Sequence, residues 1–144
     1  PELWRQSGGK IDSFVAGIGS AGTIQGIGTF LKEHNPKVRI VAVEPAKHSA
    51  LLGHEPELHQ IQGIGDGFIP PILDQNIIDE IIEVTDEDAI KTTRELSLTN
   101  SLLVGISSGA NVWGARQIAR NYPGTQVATI LPDRAERYFS TALF

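Results

Sequence analysis

Apolar runs and helical periodicity alternate along the first part of the chain. Ser13-Phe14-Val15-Ala16 is a short apolar run that ends in glycines, and it predicts a buried strand. From Thr23 to about His34 the apolar residues recur at spacings of three and four, which predicts a helix that Asn35-Pro36 ends. The β-branched run over 38–43 predicts a second strand. A strand, a helix and a strand in succession form a βαβ unit, and such units build parallel sheets.

The alternation of strand and helix patterns continues in the second half. The predicted elements are an extended run over 77–84, a helix capped by Thr85 that runs to about Leu98, a helix from Ser107 to about Arg120, a strand over 126–131 and a short terminal helix over 135–144. Between the halves, residues 48–73 are rich in Gly, His and Pro and lack periodicity, which is typical of a functional loop or lid. The sequence therefore predicts an α/β fold, a parallel sheet of βαβ units flanked by helices.

The amino-acid composition excludes several kinds of functional site. The 144 residues carry a net charge of -5 and no cysteine, which excludes disulfides, thiolate metal sites and cysteine nucleophiles. No basic stretch indicates a nucleic-acid partner, no apolar run reaches about 18 residues, and the start has no signal-peptide pattern. The absence of methionine indicates that the chain does not begin at a start codon, so we expect a piece of a longer protein.

A glycine-rich turn, Gly17-Ile18-Gly19-Ser20-Ala21-Gly22-Thr23, joins the first strand to the first helix. Glycines there let an anion approach backbone N–H groups, and a helix N-terminus adds a partial positive charge, so the turn predicts a phosphate seat. Its Gly-x-Gly-x-x-Gly spacing also matches a dinucleotide fingerprint, with Glu44 near where a ribose-binding acid would lie. A monophosphate, a dinucleotide pyrophosphate and a turn without ligand all stay open. The two hydroxyl residues favour the monophosphate.

Several ordered motifs carry a family resemblance across essentially the whole chain. They are Pro-Glu-x-Trp at the start, Phe14 to Gly19 into the turn, Val43-Glu44-Pro45, the segment from Ile61 to Phe68, the segment from Leu102 to Ala110, and Leu131-Pro132 followed by Glu136 to Thr141. Together these segments resemble the pyridoxal-phosphate-dependent cysteine synthases (O-acetylserine sulfhydrylases), which share fold type II with cystathionine β-synthase and the β subunit of tryptophan synthase.

The resemblance implies a domain assignment and a reaction. Residues 1–144 correspond to the C-terminal part of the cofactor-binding domain, and the N-terminal half, which holds the Schiff-base lysine, is absent. No catalytic residue is therefore expected in this chain, and alone it is expected to be inactive. The complete enzyme would make L-cysteine from O-acetylserine and sulfide by β-replacement, as a cytoplasmic homodimer with serine acetyltransferase as a possible partner and with neither nucleic acid nor membrane as a partner.

The resemblance also assigns roles to individual positions. The residues that match the family's cofactor-phosphate loop are Gly19, Ser20, Ala21, Gly22 and Thr23. Gly63 matches a glycine beside the bound substrate, and Arg134 stands where the family has a serine that contacts the pyridine nitrogen. Three of these positions depart from the family pattern. Ser20 replaces threonine and keeps the hydroxyl. Ala21 replaces glycine, which is unfavourable if the backbone there needs a positive φ, and Arg134 is larger than serine and permanently charged.

Alternative interpretations stay open. Ala21 and Arg134 are compatible with a catalytically impaired relative that acts as a binding or regulatory protein, and a dinucleotide-binding module would need Glu44 beside a ribose. Three histidines, His48, His54 and His59, share one loop, but their spacing favours a solvated polar loop over a metal site, and no metal is predicted.

Overall fold

The computed structural model describes residues 1–55 and 57–140. Its strands are β1 (Ser13–Gly17), β2 (Arg39–Pro45), β3 (Glu80–Val84) and β4 (Val127–Thr129), and its α-helices are α1 (Glu2–Gln6), α2 (Gly22–His34), α3 (Asp86–Asn100) and α4 (Ile106–Asn121). The four strands form one sheet in the order β3-β2-β1-β4, and every pairing is parallel. The predicted α/β class with a parallel sheet is confirmed.

The central strand β1 divides the sheet into two sides. It pairs with β2 on one side, where Val15 faces Val41, and with β4 on the other, where Val15 faces Thr129. From β1 the chain passes through α2 to β2 on one side of β1. The strand on the other side, β4, comes much later in the chain and follows α4, so the connections run to opposite sides at the boundary between β1 and β4. In parallel α/β sheets such a switch point leaves a crevice at the carboxyl ends of the strands, where ligands bind.

Both faces of the sheet are covered, because side chains alternate along each strand. Phe14 and Ala16 pack in a cluster with Ile24 of α2, whereas Val15 packs on the opposite face with Ile106 and other residues of α4. The resulting run of wholly buried strand residues is typical of a parallel sheet. Among the described residues, none of the helices has the length and apolar character that a membrane crossing requires.

Most predicted boundaries agree with the structure within a few residues. Thr85 caps α3 as predicted, since its hydroxyl accepts a hydrogen bond from the amide of Asp88 at 3.1 Å. The predicted loop over 48–73 contains no helix or strand in its described part.

Three predicted elements differ from the structure, and one element was missed. The five-residue helix α1 was not predicted because it is too short to show periodicity. The extended run predicted over 77–84 begins only at Glu80, because Ile77 ends a 3-10 turn over Gln75–Ile77 in which Asp74 accepts a hydrogen bond from the amide of Asn76. β4 is shorter than predicted. The terminal helix is a 3-10 turn over Ala135–Tyr138, and residues 141–144 lie outside the described residues.

Candidate functional site

The turn between β1 and α2 has the backbone geometry of an anion seat. Ala21 is the N-cap of α2 and adopts φ +66°, in the left-handed region, although its side chain is only 3% exposed. A residue with a Cβ pays about 1–2 kcal/mol for that conformation. Position 21, where the family pattern has glycine, thus has a positive φ in the structure. Ala21 adopts this conformation at an energetic cost.

The amides of the turn are available to a ligand. Within residues 1–55 and 57–140, no acceptor takes a hydrogen bond from the backbone N–H groups of residues 20–23. The first N–H groups of an α-helix have no partner inside the helix, and they carry the positive end of its dipole. Four consecutive amides without an acceptor among the described residues therefore lie at the start of α2, the kind of place where a phosphate binds.

A cavity of about 250 Å³ lies beside these amides, at the carboxyl ends of β1 and β4. Its lining comprises Gly17, Gly19–Thr23, Gln62–Ile64, Ser107, Asn111, Ile130, Pro132, Asp133 and Arg137. Six of the seven predicted site residues are thus brought together around one space: Gly19, Ser20, Ala21, Gly22, Thr23 and Gly63. Their functional roles stay predictions.

The loop that contains Gly63 is docked directly on the turn. A Cβ built on Gly19 would stand 2.4 Å from the carbonyl oxygen of Gly63, and the amide of Gly65 donates to the carbonyl of Ile18 at 3.0 Å. Gly63 itself adopts φ +89°, a conformation that favours glycine. The predicted substrate segment and the predicted phosphate turn therefore form one packed unit.

Arg134 is the predicted site residue that the structure does not bring into the cavity. Its backbone forms an antiparallel bridge with Val104, its side chain is exposed, and it precedes the 3-10 turn over Ala135–Tyr138. The neighbouring Asp133 and Arg137 line the cavity instead. Arg134 therefore leaves the cavity open, and its contact with a ring nitrogen stays a prediction.

Asp133, which lines the cavity, and the buried Tyr138 form a partly buried polar pair. The Tyr138 hydroxyl donates to Oδ2 of Asp133, and the carbonyl of Asp133 accepts from the amide of Gly105 at 3.2 Å. Burial, followed by the hydrogen bond to Asp133 and the carboxylate's charge, raises the pKa of Tyr138 to about 12. The backbone hydrogen bond from Gly105 holds the chain that follows β4 against the start of α4.

Sequence reasoning missed Asn111, which lines the cavity from α4 and is 1% exposed. Its Oδ1 accepts from the amide of Gly17 at 2.7 Å, and its Nδ2 donates to the carbonyl of Ile130 at 3.1 Å. A signal was present: Asn111, Gly114 and Ile118 recur at spacings of three and four on the buried face of α4. A polar residue on such a face needs partners, which indicates a specific role.

Glu44 is not available to a ribose. It is 2% exposed, and its Oε2 accepts hydrogen bonds from the Ser49 hydroxyl at 2.5 Å and the Leu51 amide at 3.2 Å. These bonds tie the start of the loop to the end of β2 and occupy the carboxylate. The dinucleotide interpretation therefore loses the acid on which it depended.

Each of the three loop histidines contacts another part of the described chain. Nδ1 of His48 lies 3.2 Å from the carbonyl oxygen of Glu57, while its buried Nε2 has no partner among the described residues. His54 pairs with Glu83 at 3.1 Å, and the two ring nitrogens of His59 contact the carbonyl of Gly65 and the amide of Ile61. In the part of the chain that the structure describes, no group of three or more histidines and acids is arranged to hold a metal ion.

The lining fits a phosphate monoester. Free amides, the Ser20 and Thr23 hydroxyls and the Arg137 guanidinium border one polar cavity, and these are the donor types that bind phosphate. None of the described residues that line it is a lysine. The cavity thus offers binding groups without an amine nucleophile.

Comparison with known proteins agrees with this geometry. Residues 1–133 match the model of a family described as pyridoxal-phosphate dependent enzyme. Cysteine synthase B of Campylobacter jejuni is 50% identical over 143 residues, which cover 99% of this chain and 48% of that protein. The O-acetylserine dependent cystathionine beta-synthase of Bacillus subtilis is 44% identical, over 100% of this chain and 47% of that protein.

Solved structures give the same result. The chain superposes on the O-acetyl serine sulfhydrylase isoform 3 of Entamoeba histolytica with a TM-score of 0.95 and 38% sequence identity, over 99% of this chain and 43% of that chain. The chain spans about half the length of the relatives that it matches.

Proposed function

The chain belongs to the family of pyridoxal-phosphate-dependent enzymes, and from that premise we propose that it forms the phosphate-binding half of a cysteine synthase. The complete protein would then convert O-acetylserine and sulfide into L-cysteine. The observation that carries the proposal is the set of free amides over residues 20–23 at the mouth of a polar cavity. The similarity to proteins named cysteine synthase supports the choice of substrates.

In this proposal the turn binds the phosphate of the cofactor. The amides of residues 20–23 and the Ser20 and Thr23 hydroxyls donate to the phosphate oxygens, and the dipole of α2 favours the negative charge. Arg137 adds a permanent positive charge at the cavity wall. No described lysine lines the cavity, so the amine that bonds the cofactor would come from another part of the complete protein.

The loop around Gly63 would bind the amino-acid substrate. Gly63 borders the cavity, and it is exposed while the neighbouring Ile64 is buried. When bound, pyridoxal phosphate supplies an electron sink that lets the β-substituent of an amino acid leave. The chain's own contribution is to orient that group and to exclude water from the buried side of the cavity.

The proposed reaction has a direct test in the complete protein that carries this sequence. We expect added pyridoxal phosphate to produce a visible absorbance band that shifts on addition of O-acetylserine, and sulfide to yield L-cysteine. A Ser20→Ala, Thr23→Val double variant removes two hydroxyl donors and should weaken cofactor binding about tenfold or more, at about 1 kcal/mol per hydrogen bond. Thr125→Val, in an exposed turn far from the cavity, is the matched control.

The same experiment separates the alternatives. Consumption of homocysteine in place of sulfide would identify a cystathionine synthase, an outcome that the Bacillus subtilis relative makes worth testing. Absence of an absorbance band in the wild-type protein would contradict the proposal and favour a binding or regulatory protein. The exposed position of Arg134 and the open cavity argue against that alternative.

We further propose a homodimer in the cytoplasm, with serine acetyltransferase as a possible partner. The family resemblance supports all three assignments. Exposed apolar side chains support an interface: Leu98 is 85% exposed and Leu103 60%, and both border a second cavity of about 250 Å³. Light scattering of the complete protein tests the dimer, and co-elution with the acetyltransferase tests the partner.

A further inference from the structure

The backbone hydrogen bonds that pair β1 with β4 end one hydrogen bond, here called a rung, before the cavity. Ser13 pairs with Val127 and Val15 pairs with Thr129. In this register the amide of Ser13 donates to the carbonyl of Gln126, the residue that precedes its partner, at 3.2 Å. If the ladder continued, the amide of Gly17 would donate in the same way to the carbonyl of Ile130.

The side chain of Asn111 occupies that position. The amide of Gly17 donates to Oδ1 of Asn111 at 2.7 Å, and Nδ2 of Asn111 donates to the carbonyl of Ile130 at 3.1 Å. One carboxamide therefore supplies the acceptor that Gly17 lacks and the donor that Ile130 lacks. The two backbone groups that a direct rung would join are held apart by the length of the inserted group.

The insertion lies where the crevice opens. Gly17, Asn111 and Ile130 all line the cavity that contains the phosphate turn. Directly bonded strands lie about 4.7–4.9 Å apart, so a further direct rung would draw the end of β1 toward the chain that follows β4 and narrow this space. Asn111 is itself anchored, since it is 1% exposed on α4, the helix that packs across β1 and β4.

We propose that Asn111 is a positioning residue that holds the crevice between β1 and β4 open by replacing one backbone rung, and thereby sets the width of the cofactor cavity. The consequence for ligand binding rests on the proposed function. The replacement needs a side chain with both a donor and an acceptor at this length. Aspartate keeps only the acceptor at neutral pH, and alanine has neither group.

Two variants of the complete protein test this inference. In Asn111→Ala we expect the backbone groups of Gly17 and Ile130 to bond directly, which a crystal structure of the variant measures as a distance near 3 Å. In Asn111→Asp, which preserves the shape, Ile130 loses its donor and a negative charge enters the cavity. Both variants should weaken the binding of pyridoxal phosphate to the apoprotein tenfold or more. Asn121→Asp adds the same charge at the exposed end of the same helix and should change neither quantity.

The outcomes separate positioning from a merely structural role. A lower melting temperature with pyridoxal phosphate affinity unchanged within twofold in both variants would overturn the inference, as would an unchanged Gly17–Ile130 separation in Asn111→Ala. If Asn111→Ala does not fold, the Gly17–Ile130 separation in a crystal structure of Asn111→Asp decides, since it should change once the carbonyl of Ile130 has lost its donor. If the wild-type protein binds no pyridoxal phosphate, the proposed function fails, and the backbone distance in the variant still decides the role of Asn111.

Discussion

Gly19 lies directly against the carbonyl oxygen of Gly63, so that a Cβ at residue 19 would stand 2.4 Å from that oxygen. Both partners are backbone atoms, so neither can move aside by a side-chain rotation. The contact joins the proposed phosphate turn to the proposed substrate loop. Both segments can keep their positions only if residue 19 is a glycine.

Gly19→Ala should therefore destabilise the protein by about 1–3 kcal/mol, the usual cost of forcing extra volume into a packed site. It should also weaken cofactor binding, since the turn must shift away from the loop. Chemical denaturation and a cofactor titration measure the two effects. Gly26→Ala is the matched control: a Cβ there meets nothing within 4 Å, and in a helix alanine is favoured by about 0.5–1 kcal/mol over glycine. Similar losses in both variants would contradict the proposed contact.

Substitutions at Ala21 measure the energetic cost of the left-handed backbone conformation at that residue. Ala21→Gly removes about 1–2 kcal/mol of strain but gives up a buried methyl worth about 0.8 kcal/mol and adds chain entropy to the unfolded state. The two sides nearly cancel, so we expect its free energy of unfolding to stay within about 1 kcal/mol of the wild type. Ala21→Val should lose about 1–3 kcal/mol, because a β-branched residue is strained at φ +66°. Equal stabilities of the valine and glycine variants would refute this account.

His59 holds the shape of the proposed substrate loop. Its Nε2 lies 3.1 Å from the carbonyl of Gly65, and its Nδ1 accepts from the amide of Ile61 at 3.2 Å. These contacts define the tautomer with the proton on Nε2. His59→Leu should lower the free energy of unfolding by about 1–3 kcal/mol and speed hydrogen exchange at the Gly65 amide. His34→Leu, at the exposed end of α2, should leave that exchange rate unchanged.

Ionisation of Tyr138 should lower the free energy of unfolding at high pH. Its pKa of about 12 lies above the ordinary 10.0, so the neutral phenol is favoured in the folded state. This contribution is fully present below pH 10 and is lost as the pH rises through 12. Tyr138→Phe should abolish that component, and the difference between the ultraviolet titrations of the wild type and the variant should show one tyrosine ionising near pH 12. A Tyr138→Phe variant with the same alkaline loss of stability as the wild type would contradict the assignment.

Local patterns predicted much of the fold. The apolar run at β1, the helical spacing of α2 and the Thr85 cap each depend on residues close in sequence, and the structure has all three. Helix α1 and the 3-10 turn at residues 75–77 escaped prediction, because elements of five and three residues carry too few positions to define a period.

The site was only partly predictable, for a different physical reason. The glycine-rich turn can be recognised from the local sequence, because a strand pattern is followed by glycines and then by a helix pattern. Asn111, Asp133 and Arg137 reach the same cavity through tertiary packing, from segments about 90 or more residues further along the chain. The backbone of Arg134 likewise forms a bridge with Val104, thirty residues earlier in the chain, which no local pattern reveals.

The pairing of Val15 with Thr129 also bears on how the molecule folds. Closing the β1–β2 contact between Val15 and Val41 spans a short loop, whereas the Thr129 hydroxyl reaches the Val15 carbonyl across 114 positions. That is about two doublings of loop length and costs roughly 1.2 kcal/mol more in chain entropy. We therefore expect β1, α2 and β2 to assemble early and β4 to dock late. Ligand competence would then be among the last properties that the folding chain acquires.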